Sequence, residues 1–376
     1  MQIEADDRLP VLLLDGGLGT TLEAPPHNVR FTFDTPLWSS HLLLTDPSTL
    51  RSVHRAFVDA GADIVLTATY QASVEGFTLT NPRYTREDAE RHMRSAIPLA
   101  RAAFAPASTP SALSSTAPPG KKARVALSLG PYGATMTPAG TEYTGLYPSE
   151  MDSEAALRKW HADRLRIFAL DDASWSAVEF VSFETIKRSD EVRAIRGAVS
   201  DVVVSGSTRT KPWWISGVFP SEEVEETDVR QWVRTALGPV RDAAAADAYL
   251  PRPWGIGLNC TRIGKVERIV RIMEEEVALL VRNGGFTDEW AGTRSRRPWL
   301  VLYPDGTKGE RYDPAAKQWV QKTEERPGRP WEDVLSGLVK RVRTEGDAWE
   351  GLIVGGCCRT GPGDITALER KVKECC

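Results

Sequence analysis

The sequence predicts an α/β protein built as a single (β/α)8 TIM barrel with loop insertions, spanning residues 1–376. Three observations predict it. Eight short apolar runs of strand length alternate with segments of helical spacing. Several of these runs empty into turns that carry acids, amides, tyrosines or thiols, as strands opening on one functional mouth do. The glycine fingerprint of a doubly wound open sheet is poorly met, because Asp15-Gly-Gly-Leu-Gly19 sets a carboxylate where a phosphate would be repelled.

The elements follow in order. Val11-Leu-Leu-Leu-Asp15 is an apolar run ending in an acid before Gly16-Gly17. Residues 47–60 place Leu50, Val53 and Phe57 on one helical face and stop at Gly61, a suitable C-cap. Ala62 to Leu66 is the second strand, leading to Tyr70-Gln71, and 86–104 is helical in pattern. From 105 to 122 the composition turns to Ser, Pro, Ala and Gly, a low-complexity surface insertion. Arg124 to Ser128 is the third strand, 152–171 a helix, and Ala177 to Phe183 the fourth strand, ending at Glu184-Thr185. A helix over 190–199 feeds the fifth strand, 213–217, and one near 228–249 precedes the sixth, 254–258, which ends at Asn259-Cys260. The helix 263–281 is followed by a polar insertion, 284–297, and the seventh strand covers 299–303. After a helix over 331–345, the eighth strand Leu352-Ile-Val354 runs into Gly355-Gly-Cys-Cys358, and 364–373 closes the chain.

Composition narrows the function classes. A chain with 41% hydrophobic and 26% charged residues has the makings of a substantial core. A net charge of -4 gives no general attraction to nucleic acid or anionic membrane. The five cysteines, Cys260, Cys357-Cys358 and Cys375-Cys376, do not resemble an extracellular disulfide framework. The N-terminus carries acid where a secretory signal carries base, and no apolar run reaches membrane length. The expectation is a cytoplasmic protein with small-molecule substrates, no nucleic-acid or membrane partner, and an open oligomeric state. The tryptophans are scattered, which suits packing better than a binding stripe.

In a barrel the C-terminal strand ends share one rim. That brings together Asp15, Tyr70, Tyr132, Glu184, Asn259-Cys260 and Cys357-Cys358. Neighbouring cysteines do not readily bond to each other, since a disulfide needs Cα atoms about 4.4–6.8 Å apart and a suitable torsion. Taken alone, the vicinal pair reads equally well as small buried hydrophobes or as half of a soft-metal site. A third thiol from the sixth strand shifts the balance to metal. Three sulfurs with one position left over is the donor set of a catalytic zinc. None of the five histidines falls at a strand end. An all-thiolate set is electron-rich and poor at activating water, but it suits a substrate thiol, which zinc holds deprotonated. The implied chemistry is attack by a bound thiolate on an electrophilic carbon.

The chain resembles the homocysteine S-methyltransferases. The matching stretches are Leu14-Asp-Gly-Gly-Leu-Gly-Thr20, Pro36-Leu-Trp-Ser39, Gly61 to Ala72, Gly130-Pro-Tyr-Gly-Ala134, Phe183-Glu-Thr185, Gly257-Leu-Asn-Cys-Thr261 and Gly355-Gly-Cys-Cys-Arg-Thr360. They keep the family's order over nearly the whole chain. Trp38-Ser39 and Tyr70-Gln71-Ala72 look most like the S-methylmethionine-using branch. The resemblance implies that Cys260, Cys357 and Cys358 hold the zinc. It puts the homocysteine-binding acids at Asp15 and Glu184, with Gly16 and Gly17 letting backbone N–H groups approach the substrate carboxylate. Trp38, Tyr70, Tyr132 and Tyr143 then either face the donor's positive charge or pack the mouth. Asn259, grouped with the substrate-binding positions, either positions Cys260 or its loop, or is an ordinary turn amide.

The reaction so implied carries a methyl group from a sulfonium donor, S-methylmethionine or S-adenosylmethionine, to L-homocysteine and gives methionine. Betaine or another thiol acceptor, and a non-catalytic homocysteine- and zinc-binding barrel, are the alternatives. A zinc hydrolase would want histidine or carboxylate ligands and a base beside the metal. Asp63 falls at the opposite, stability face; Arg359 either caps its turn or touches substrate; and Cys375 and Cys376 read as a tail.

Overall fold

The computed structural model describes residues 9–31, 37–105, 122–136, 140–204, 210–242, 244, 249–284, 297–307, 310–313, 318–321 and 329–375. The insertions expected at 105–122 and 284–297, their end residues aside, lie outside the described residues, as does Cys376.

Eight parallel strands form one curled sheet. They are β1 (Val11–Leu13), β2 (Val65–Leu66), β3 (Val125–Leu129), β4 (Phe180–Ile186), β5 (Trp213–Gly217), β6 (Gly255–Arg262), β7 (Trp299–Asp305) and β10 (Leu352–Val354). Their order is β1-β10-β7-β6-β5-β4-β3-β2. Between β7 and β10 the chain makes an antiparallel hairpin, β8 (Glu310–Asp313) and β9 (Gln318–Gln321), which the sequence pattern did not predict. The expected ring is met in part: the sheet is barrel-like, and its outer strands β1 and β2 share one isolated parallel bridge, Leu14 to Ile64, rather than a ladder. The reason is local. Strand β2 keeps only two of the five residues expected of it. Beside it the Asp63 carboxylate accepts the Leu13 N–H at 2.9 Å, a place a strand carbonyl would otherwise take.

Alternation along the strands sorts the core into two layers. On β7, Leu300 and Leu302 face the helices, whereas Val301 and Tyr303 face the inside of the curl. Strand β10 does the same, with Leu352 and Val354 outside and Ile353 inside. The inner layer also takes Leu14, Ile64, Phe180 and Trp214. Below it Trp254 stacks on Trp299 at 4.5 Å, and Phe180 lies 5.6 Å from Trp254. These rings fill the N-terminal end of the curl, so open space can exist only at the other end.

The helices obey local rules. Asp46 caps Pro47–Asp59 by accepting the Thr49 N–H at 3.1 Å, and the chain turns out of it at Gly61 with φ 110°. Thr85 and Asp88 form a reciprocal capping box on Arg86–Ala102. Among the described residues no helix is long and apolar enough to cross a membrane.

Candidate active site and metal centre

Cys260 lies near the end of β6, where the strand's register with β7 shifts. Cys357 and Cys358 follow β10 in a turn pinned on both sides. The Cys357 N–H donates to Pro304 O at 3.0 Å, Gly306 N–H to Cys358 O at 2.8 Å, and Gly356 N–H to Asp15 O at 3.0 Å. The turn is thereby fixed to the ends of β7 and β1. Since β7 alone separates β6 from β10, the three half-buried sulfurs meet, all within 4.8 Å of one another. Sulfurs on one tetrahedral zinc stand about 3.8 Å apart, so the donor set fits a single soft cation. The same proximity allows another state: the Cys260 and Cys357 sulfurs lie against each other, with Cα atoms 5.6 Å apart, a spacing that a disulfide can bridge on oxidation, while Cys358 stays a free thiol. Burial, with the Asp305 and Glu142 carboxylates behind it, pushes the Cys358 thiol up to about 12.

Left-handed backbone gathers here. Cys260 has φ 46°, Thr185 64° and Arg359 63°, conformations that non-glycine residues hold only when their surroundings insist. For two of them the surroundings include Asn259, which is fully buried. Its Oδ1 accepts the Thr185 N–H at 2.7 Å, and its Nδ2 donates to Thr185 Oγ1 at 2.7 Å and Cys260 Sγ at 3.3 Å. The amide therefore ties the end of β4 to the first sulfur.

Asp15 and Glu184 form a second centre. Asp15 Oδ2 accepts the Leu66 N–H at 2.9 Å, while its Oδ1 is buried without a partner. Burial raises the Asp15 carboxyl well above the ordinary range, and the nearby Glu184 raises it further. Burial likewise lifts Glu184 to about 7, opposed by Ser128, Arg164 and Tyr303. The Ser128 hydroxyl donates to Glu184 Oε1. Two buried acids that repel each other, one with a vacant oxygen, can accept a cationic group between them.

The other expected residues separate. The Tyr70 ring lies across Gly130, where an added Cβ would meet it at 2.6 Å. Its hydroxyl is influenced by Glu142, Tyr143 and Glu184. Tyr143 is influenced by Cys358 and Glu142. Tyr143 is thus within electrostatic reach of the Cys358 sulfur, and Tyr70 of the Glu142 and Glu184 carboxylates. Tyr132 packs edge-on to Tyr147 and Trp160, both at 5.4 Å, and its N–H donates to Glu191 at 2.8 Å. Trp38 lies against Gly19 and 5.5 Å from Phe31. The role expected of Gly17 needs correction. Its N–H already donates to Thr360 O at 2.9 Å and Oγ1 at 3.2 Å, so it is not free for a substrate carboxylate. The glycines serve proximity instead: a Cβ on Gly17 would come 2.4 Å from Cys357 O, and one on Gly16 2.6 Å from Thr360 O. Asp63 sits at the other end of the strands, as expected, and Arg359 pairs with Glu310 on the hairpin at 2.6 Å.

Two residues escaped the sequence reading. Arg164, buried on the helix Glu154–Ala169, donates to Gly130 O at 2.7 Å, Thr69 O at 2.8 Å and Tyr70 O at 2.7 Å. It braces the turns after β2 and β3. The signal was present, since Leu157, His161, Arg164, Leu165 and Phe168 share one helical face. The second is Glu142, a buried acid in the turn Thr141–Thr144, which nothing in its local sequence marks as buried.

Comparison with known proteins gives the family and the fold. The family model for homocysteine S-methyltransferases matches residues 12–372. Homocysteine S-methyltransferase 3 of Zea mays is 30% identical, with 97% of this chain and 91% of that protein covered. Selenocysteine Se-methyltransferase of Brassica oleracea var. italica is also 30% identical, covering 96% and 88%. Among solved structures, the metallated form of the homocysteine methyltransferase MmuM from Escherichia coli superposes with a TM-score of 0.63 at 24% identity over 97% of each chain. Its oxidized form gives 0.62 at 24% identity over 96% of each. At that identity the likeness is one of fold. The extent of the family match decides the membership: this chain belongs to the homocysteine S-methyltransferase family.

Proposed function

We propose that this methyltransferase moves a methyl group from a sulfonium donor, S-methylmethionine or S-adenosylmethionine, to the sulfur of L-homocysteine, with zinc held by Cys260, Cys357 and Cys358. The observation that carries the reading is the convergence of three sulfurs from two separate strand ends within 4.8 Å. A zinc ion bound there would supply the acidity that keeps the substrate sulfur a thiolate, which a free thiol with pKa about 8.5 is only in small part at neutral pH. The description of MmuM in a metallated form supports a metal role for the family's fold.

The chain's own residues do the rest. Asp15 Oδ1, buried without a partner, and Glu184 take the substrate ammonium, whose positive charge relieves the repulsion between the two acids. Tyr70 and Tyr143 line the side from which the donor arrives, where an aromatic face is worth about 0.5–2 kcal/mol to a cation. Asn259 keeps Cys260 turned toward the vicinal pair. The new bond runs from the homocysteine sulfur to the methyl carbon. The bond to the donor sulfur breaks, and its electron pair stays there, so the donor leaves as a neutral thioether. Rate enhancement then rests on thiolate formation and on alignment of the two sulfurs about the methyl carbon.

The close approach of the Cys260 and Cys357 sulfurs supports a second use of them, closure to a disulfide on oxidation. Two of three donors are lost in that state, so turnover belongs to the reduced chain in a reducing compartment such as the cytosol. The Leu14–Ile64 bridge supports taking the curled sheet as a closed (β/α)8 barrel formed by residues 1–376. The test is methionine formation by reduced, zinc-loaded protein across a donor panel of S-methylmethionine, S-adenosylmethionine and betaine. Cys357→Ala should abolish turnover and cut zinc content while the far-UV spectrum is retained. Undiminished turnover in that variant would remove the proposal.

A further inference from the structure

Neither the sulfurs nor the Asp15–Glu184 pair accounts for Glu142. Its side chain is 5% exposed, and its Oε2 is buried with no hydrogen-bond partner. The Tyr70 hydroxyl and the amides of Gly140 and Glu142 serve the carboxylate and only partly offset its burial. Its charge is felt by Tyr70, Tyr143 and Cys358. Among the described residues no arginine or lysine pairs with it. A buried carboxylate with a vacant oxygen, whose charge reaches two tyrosines and a metal-binding sulfur, lacks a positive charge that a ligand can bring.

We propose that Glu142 is the counter-charge for the methyl donor and selects donors of net positive charge over zwitterionic ones. This rests on the methyl-transfer reading above. The homocysteine ammonium has its own acids, Asp15 and Glu184, so the charge left for Glu142 belongs to the second substrate. S-methylmethionine and S-adenosylmethionine carry a net charge of +1. Betaine and dimethylsulfoniopropionate carry zero, with a carboxylate close to the onium centre that a buried acid repels. The charge on the donor disappears as the methyl leaves. Glu142 therefore stabilises the bound donor more than the transition state, and its removal acts on donor KM rather than on kcat.

The experiment compares zinc-loaded wild type with Glu142→Gln. The expected result is a rise of at least about tenfold in KM for S-methylmethionine, with kcat held or raised. Homocysteine affinity by calorimetry should stay unchanged. The preference for S-methylmethionine over dimethylsulfoniopropionate should shrink by a similar factor. An unchanged donor KM, or an equal loss of homocysteine affinity, would overturn the inference while leaving the methyl-transfer reading intact. Wild type that forms no methionine from any donor would instead remove the reading beneath it, and this inference with it. Should the variant fail to fold, wild type alone decides by calorimetry. Tighter binding of S-methylmethionine than of dimethylsulfoniopropionate supports the assignment, and equal or reversed affinities overturn it.

Discussion

Replacing Asn259 with alanine removes the amide that joins the first sulfur to the end of β4. The side chain makes three hydrogen bonds, two to Thr185 at 2.7 Å and one to Cys260 Sγ at 3.3 Å. The buried Thr185 N–H loses its acceptor, which costs about 1–3 kcal/mol. Thr185 and Cys260, at φ 64° and 46°, also lose part of what holds them there. A total near 3 kcal/mol is the expected loss. Unfolding entropy is about 2.1 cal/mol/K per residue, so over 376 residues the melting midpoint should fall by about 4 °C. Loss of a group that orients a metal ligand lowers metal affinity by about 10–100-fold. Differential scanning calorimetry of metal-free protein and a competitive zinc chelator titration measure the two effects separately. Asn259→Asp keeps an acceptor for Thr185 but loses the donor to Cys260, so it should retain more stability than metal affinity. An alanine variant with unaltered midpoint and unaltered zinc affinity would refute the positioning argument.

Further expectations follow from the same geometry. Glu184 titrates near 7 in the folded protein, above its ordinary 4.5. Such a raised pKa contributes stability below about 4.5 that is lost as pH rises through about 7. Glu184→Gln should therefore gain stability relative to wild type as ligand-free samples are taken from pH 5 to 8, with a weaker grip on homocysteine at pH 8; parallel melting curves at all pH values would contradict this. Gly17→Ala places a methyl 2.4 Å from Cys357 O, so it should cost about 1–3 kcal/mol and lower zinc content by elemental analysis. Oxidation that closes Cys260–Cys357 should release zinc and stop turnover, and a thiol reductant with added zinc should restore both, followed by thiol titration against methionine formation. Arg164→Met leaves the carbonyls of Gly130, Thr69 and Tyr70 without their donors; chemical denaturation should show a loss of about 3 kcal/mol or more.

Legibility differed between elements. Strand β5 and the helix Trp331–Glu345 fall where the pattern put them, because a bounded apolar run and a long amphipathic segment each depend on neighbours in sequence. Strand β2 came out two residues long and the β8–β9 hairpin was not predicted. One is shortened by a side chain that replaces a strand partner, and the other has no apolar alternation to announce it. The convergence of Cys260 with Cys357 was readable from strand counting alone. The burial of Glu142 was not: it sits in a polar turn, and its seclusion is set in three dimensions, where the Tyr70 hydroxyl reaches its carboxylate.

The sequence by itself determined the alternation of strand and helix, the placement of acids and thiols at strand ends, and the family. These are one-dimensional facts, set by residue type and by period along the chain. Only the tertiary structure decided that Gly17 spends its amide on Thr360, that Tyr132 packs among aromatics, and that one carboxylate oxygen of Glu142 is buried without a partner. Each of those outcomes depends on which distant segment arrives alongside. Hydrogen bonding and burial are settled by neighbours in space, and a curled sheet chooses those neighbours from positions hundreds of residues apart.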